Sequence, residues 1–397
     1  MWKRFAHQLR CPISGDALTL VPFKETTAVF SNDVAASAEQ IGFAPNDPEF
    51  STRVEAGVLL APSSGLMYPI ARGLPLMLPY QTSLHNQFAR DFSRHLSNIG
   101  AQFQFPAYSP RPGEKSVLRT FSREWAGYKY DGVIWDVSYE DNDRRLIAEL
   151  GLRHEDTEPR RLLEVGCGIG LTTAQARRHL RGDAVGVDLS LAVVGATEHF
   201  RGNPFLHFVQ GSAFYLPFEP GSFDVIYSRG VLHHTYSTHD ALLAVAKFCR
   251  PGGRFYLWVY GPGSKDDTVF RRVAYAAEIA LRPILSRTPG TIGTVVLAPI
   301  ALGYVAYNQL RRKWDGSVQP VTFNRGLHLA FDRFTPRYAH RQPASQVVDW
   351  FREAGFDTAE VLDWRDIPSA DQDDYRRNTG VRANRSLTAA VRAPLSH

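Results

Sequence analysis

Apolar positions follow two rhythms along this chain. From residue 160 onward the short apolar runs "RLLEV", "AVGVD", "FLHFVQ", "FDVIYS" and "RFYLWVY" alternate with "LTTAQARRHL", "SLAVVGATEHF" and "THDALLAVAKFC", where apolar residues recur every three or four positions. Short unbroken runs suit strands buried on both faces, and the longer period suits the helices that cover them. Five parallel strands with covering helices are therefore expected, the third helix stopping at "RPGG", where proline and glycine end a helical pattern. A mostly helical insertion is expected over 264–335. The alternation then resumes with a helix over "PASQVVDWFREAGF", a strand over "DTAEVLDW" and a last strand over "RSLTAAVRA", seven strands in all.

Ahead of this α/β part, "GDALTLVPF", "AGVLLAPSSG" and "MYPIARGLPLMLP" read as strands joined by tight turns, so 1–82 is expected to be a small, mostly β unit. A helix near 84–98 and the aperiodic "GAQFQFPAYSPRPGEK" make 83–115 a helix and linker. The α/β core then takes in 116–263 and 336–397, on either side of the insertion. The most apolar stretch, "IGTVVLAPIALGYVAY", is shorter than the ~20 residues that span a bilayer and contains Pro299. It is expected to be a buried or lid helix without stable membrane insertion, leaving peripheral contact open.

Composition narrows the class. Of 397 residues, 44% are hydrophobic and 21% charged, which are globular values, and the formal charge is +5. The arginine doublets are scattered, so no nucleic-acid stripe is expected. Three cysteines are too few for a disulfide framework, and "MWKRFAHQLRCPI" lacks an apolar signal region, so a cytoplasmic location is expected.

The chemistry begins at "LLEVGCGIG", behind the first core strand. A dinucleotide fingerprint needs its third glycine at 171, but that residue is Leu171 and the third glycine is Gly170. The pattern is Glu164 followed by Gly166, Gly168 and Gly170, and a leading carboxylate suits a cofactor whose nearby part is cationic. Asp188 ends the second strand, where it can accept both hydroxyls of a ribose, and "FYLPF" can line an adenine slot. Singly, these features are also a turn, a helix cap and core; their order and spacing favour a nucleoside.

The run "LLEVGCGIG…VGVDLS…QGSAFYLPFEPGSFDVIYSRGVLHHT…CRPGGRFYLWVY" resembles the class I S-adenosylmethionine-dependent methyltransferases, especially the branch with the ubiquinone and menaquinone biosynthesis enzymes. The resemblance implies a Rossmann-like seven-stranded sheet whose last strand is antiparallel, with S-adenosyl-L-methionine as cofactor. It places Gly166, Cys167, Gly168 and Gly170 beside the methionine part, Glu164 near its amine and Asp188 on the ribose. Leu189, Ala213 and Phe214 would flank the adenine, and Ser228 completes the expected cofactor set. Ser212 stands where the family usually has an Asp that reads the adenine amino group.

Methyl transfer from a sulfonium is an in-line displacement with a neutral leaving group, so the protein must align the acceptor and remove its proton. In "GVLHHT", His233 and His234 are the candidate bases. Asp332 and His340 in "AFDRFTPRYAHRQP", and Tyr130 among Trp125, Tyr128 and Trp135, are candidate acceptor contacts. The first unit is similar to the small zinc-ribbon activator subunit of tRNA and release-factor methyltransferases, but it keeps only Cys11: Ser14 and "APSSG" replace the other thiols, so no metal is expected. Its role would be to hold the core, shape the acceptor site or mediate a homodimer. The expected function is methylation of a small-molecule acceptor, at oxygen first; an RNA or protein methyltransferase and a non-catalytic binding protein are the alternatives.

Overall fold

The computed structural model describes residues 1–387 apart from 41, 45, 127, 129, 135–136, 154–157, 264–268, 288–289, 315–319 and 369–370. Strands β1 (Thr19–Thr27), β2 (Thr52–Ala61), β3 (Leu66–Ala71) and β4 (Leu74–Pro75) form an antiparallel sheet, and β5 (Val133–Ile134) and β6 (Val137–Ser138) form a short hairpin. The main sheet holds β7 (Arg160–Val165), β8 (Arg181–Asp188), β9 (Leu206–Gln210), β10 (Phe223–Arg229), β11 (Cys249–Val259), β12 (Thr358–Val361) and β13 (Thr379–Asn384). Their spatial order is β12-β13-β11-β10-β7-β8-β9, and β13 runs antiparallel to both its neighbours while the other adjacent pairs are parallel. Strand order reverses between β7 and β10, and in such sheets ligands bind at the carboxyl ends beside that switch point.

The five central strands lie where the apolar runs predict them. Two boundaries are corrected. The last strand is "TGVRAN" and not "RSLTAAVRA": 385–387 are not strand, and the remainder of that segment lies outside the described residues. Thr379, Val381 and Ala383 are buried and Arg382 reaches Glu360, a period of two that rests on only one large aliphatic. The "RPGG" segment is also part of β11. Pairing with β10 jumps from Phe223–Cys249 to Val225–Arg254, and Gly252 takes φ +74°, so the prolyl-glycyl stretch is a bulge inside the strand.

The first unit is joined tightly to the main sheet. Its short initial helix (Lys3–Gln8) lays Arg4 bidentate on Asp183 at the start of β8, and Phe5 stacks on His207 of β9 at 4.2 Å. Just past β4, the Met77 amide donates to the Gln210 carbonyl at 2.8 Å, extending the sheet beyond β9. Leu9, Leu59 and Tyr68 share one buried cluster with Leu163, Val185 and Ile226. The insertion forms helices Val269–Leu285, Gly290–Trp314 and Phe323–Phe334. Among the described residues, no helix is long and apolar enough to cross a membrane.

Candidate active site

A cavity of about 560 Å³ opens at the carboxyl ends of β7, β8 and β10. The loop after β7 needs its glycines for two different reasons. Gly166 sits at φ +82° with the Val231 side chain where a Cβ would be, and Gly170 sits at φ +75° against the Phe208 ring. Between them, the Gly168 amide donates to Asp188 Oδ2 at 2.7 Å. Asp188 Oδ1 accepts the Ser190 amide, also at 2.7 Å, which fixes the carboxylate at the cavity wall with further lone pairs to offer.

Glu164 faces the same space from the end of β7. Burial is the main cause that pushes its carboxyl up to about 8, partly offset by a hydrogen bond from the Thr173 hydroxyl. A carboxyl in this state is ready to ionise once a cation lies beside it. Leu189, Ala213 and Phe214 form an apolar slot further along the wall, with Tyr236 stacked on Phe214 at 4.9 Å. At the edge of that slot the Ser212 hydroxyl donates to Glu114 Oε1. Glu114 lies at the start of helix Glu114–Glu124, is 6% exposed, and is oriented by the Arg111 amide at 2.8 Å on Oε2.

The cavity is also bordered by the candidate base, His234. The His234 Nδ1 lies 2.8 Å from the Tyr338 carbonyl. A carbonyl only accepts, so the proton belongs on Nδ1 and the Nε2 lone pair is left available. Nε2 is buried, has no hydrogen-bond partner among the described residues, and has Asp332 Oδ1 at 3.9 Å. Burial pushes the imidazole below its ordinary pKa and keeps it neutral. Asp332 is held by the Tyr260 hydroxyl at 2.5 Å, and the buried Glu124 carboxyl is raised by burial and then by the Asp332 charge.

A methyltransferase-domain family matches residues 163–257. This chain carries a class I S-adenosylmethionine-dependent methyltransferase domain. It is 31% identical over 139 residues to the O-methyltransferase cnsE of Penicillium expansum, which covers 33% of this chain and 50% of that protein. The uncharacterized methyltransferase YcgJ of Bacillus subtilis is 33% identical over 124 residues, 29% of this chain and 49% of its own. The solved YcgJ structure aligns at TM-score 0.36 and 16% identity, over 62% of this chain and 99% of that one. The phthiotriol/phenolphthiotriol dimycocerosates methyltransferase of Mycobacterium tuberculosis is 29% identical over 182 residues, 44% of this chain and 64% of that protein. The chain thus spans about half the length of the first two curated relatives.

In the methyltransferase domain, Glu164, Gly166, Cys167, Gly168, Asp188, Leu189, Ser212, Ala213, Phe214 and His234 border the cavity, and Asp332 of the insertion joins them. Other expected residues stand behind the wall. Gly170 opens the helix that follows the loop, and the Ser228 hydroxyl donates to the Val165 carbonyl at 3.0 Å. Tyr130 donates to the Ile169 carbonyl at 2.7 Å, bracing the glycine loop from outside. His233 is buried against Tyr260, ring centroids 4.0 Å apart, and His340 contacts the Thr235 carbonyl at 3.0 Å. Trp125 borders the cavity and packs on Tyr128, whereas Trp135 lies outside the described residues. Among the described residues, no group of three or more metal-ligating side chains comes together.

Sequence reading missed Glu114, Glu124 and a charged floor. Behind the glycine loop, the fully buried Glu149 accepts from Arg229 at 3.0 Å and Tyr227 at 2.6 Å, and Arg229 also reaches Asp374 at 2.8 Å. Glu114 had one readable signal: a lone acid closing the Pro- and Gly-rich segment, ahead of a helical pattern.

Proposed function

We propose that the protein transfers the methyl group of S-adenosylmethionine to a small-molecule acceptor, most readily a hydroxyl, with His234 as the base. One observation carries this reading: Glu164, Asp188 and His234 border a single cavity, and the His234 Nε2 has no hydrogen-bond partner among the described residues. Glu164 would hold the cofactor's amine, Asp188 its ribose hydroxyls, and the apolar slot its adenine. Glu114 supplies a carboxylate at the slot's edge that Ser212 lacks, and would accept the adenine amino hydrogens. The cofactor brings an electrophilic methyl; the chain's own work is to align the acceptor, exclude water and take its proton at Nε2.

Arg325, His328, Leu329 and Asp332 of the insertion border the same cavity as the glycine loop, which supports a lid over an enclosed acceptor rather than a trench for a macromolecule. In the first unit, Cys11 Sγ lies 3.3 Å from the Tyr68 hydroxyl and 3.9 Å from Ser64 Oγ. This supports a ribbon whose two knuckles meet through hydrogen bonds in place of a metal. The test is transfer of labelled methyl from S-adenosylmethionine to a panel of small hydroxyl and amine acceptors, with tRNA and protein acceptors alongside. Labelling of small acceptors that His234→Ala abolishes supports the proposal; labelling confined to RNA or protein overturns it.

A further inference from the structure

The insertion turns one face of its helices inward, where Leu285, Leu297, Ala330 and Phe334 make a buried cluster. The other face is unusual for a surface exposed to water. Val269, Val273, Ile279 and Ile284 on the first helix are 61–77% exposed. On the second helix Val295, Leu302 and Leu310 are 57–73% exposed and the terminal Trp314 is 91% exposed. The first four stand four, six and five residues apart and the second four seven, eight and four; at about 100° per residue this places Val269, Val273 and Ile284 within about 60° of helix face, with Ile279 on the flank, and Val295, Leu302, Leu310 and Trp314 within about 120°. Surfaces of monomeric soluble proteins rarely keep large apolar patches exposed.

Charge identifies the occupant. Between 269 and 314 the sequence has a single carboxylate, Glu278, and it is buried against Arg282 and Arg341. Arg272, Arg287, Arg312 and Lys313 are exposed. In a second copy of the chain the exposed Arg287 and Lys313 would meet a surface of the same basic balance, since the two helices themselves carry no exposed acid, which disfavours that pairing. A bilayer rich in anionic lipid answers both features: the aliphatics enter the boundary between headgroups and acyl chains, each Lys or Arg is attracted to the negative surface, and Trp314 suits the interface. We infer that the outer face of the insertion docks on an anionic lipid surface. The third helix, which borders the cavity, is thereby held close to the lipid.

The experiment is sedimentation of the full chain with vesicles of phosphatidylcholine alone or mixed with phosphatidylglycerol, without any turnover step. Binding to the mixed vesicles at least about tenfold tighter, and weakening with salt, is expected from the basic residues. Val273→Glu with Leu302→Glu should abolish it while calorimetric binding of S-adenosylhomocysteine stays intact, and Arg312→Glu with Lys313→Glu should remove the lipid preference. Equal affinity for both vesicles, or none for either, overturns the inference. So does a concentration-dependent dimer that the Val273 and Leu302 substitutions dissociate.

Discussion

An imidazole takes a proton only through a nitrogen whose lone pair reaches the reactant. The proposed base is His234, because Tyr338 holds its Nδ1 and leaves the Nε2 lone pair unengaged; His233, its chain neighbour, packs against Tyr260 and does not border the cavity. His234→Ala should therefore lower kcat by about 10²–10⁴ while leaving cofactor affinity unchanged; an unaltered kcat would rule it out as the base. Burial depresses the His234 pKa, so the neutral, proton-accepting form persists below the usual histidine range of about 6.5. A kcat that stays level through that range and falls only at lower pH is the expected profile. Glu164 has the opposite sign. Its carboxyl, raised to about 8, is mostly protonated at neutral pH and should release a proton when the cationic cofactor binds, so affinity should rise with pH toward 8. Calorimetry in buffers of different ionisation enthalpy measures that proton directly. For Glu114, the Gln substitution should weaken S-adenosylhomocysteine about tenfold or more, the scale of one hydrogen bond to a charged group. Adding Ser212→Asp to that variant should restore binding; failure to recover would place the adenine edge elsewhere.

At the scale of elements, the sequence made legible what repeats and concealed what is brought together from afar. Apolar runs such as "RLLEV" and "FDVIYS" mark buried parallel strands because both faces must be apolar. β13 has Val381 as its only large aliphatic, and its alternation competes with the more apolar "SLTAAV" next to it. Glu114 escapes a linear reading since its importance comes from Ser212, nearly a hundred residues away. The glycine loop shows why an accurate motif still leaves roles mixed. Gly170 conforms to the pattern, yet it answers to packing on Phe208 and does not border the cavity. Gly170→Ala should cost at least about 1–3 kcal/mol through its left-handed backbone, to which crowding of the new methyl against Phe208 adds, seen as a lower midpoint in urea unfolding, and a midpoint equal to the wild type would show that the loop adapts.

Across the whole molecule, the first unit and the catalytic sheet are joined by a buried ion pair. Burial opposes the charge on Asp183, but His207 and Arg4 outweigh it and hold the carboxyl well below its usual range. Arg4→Met should leave that charge poorly compensated and cost about 3–5 kcal/mol at neutral pH. Because the folded pKa is depressed, the contribution is present above the unfolded value near 3.9 and fades as acid protonates the group, so the gap between variant and wild type should narrow at low pH. The hydrogen bond from Met77 to Gln210 has a separate consequence. It covers the outer margin of β9, a strand whose five residues are all buried and include Leu206, Phe208 and Val209. Bare apolar margins of this kind recruit strands from other molecules. Cutting the chain down to its catalytic half would thus uncover a self-adhesive border, and the excised half should come out of solution as aggregate while the full chain stays dispersed.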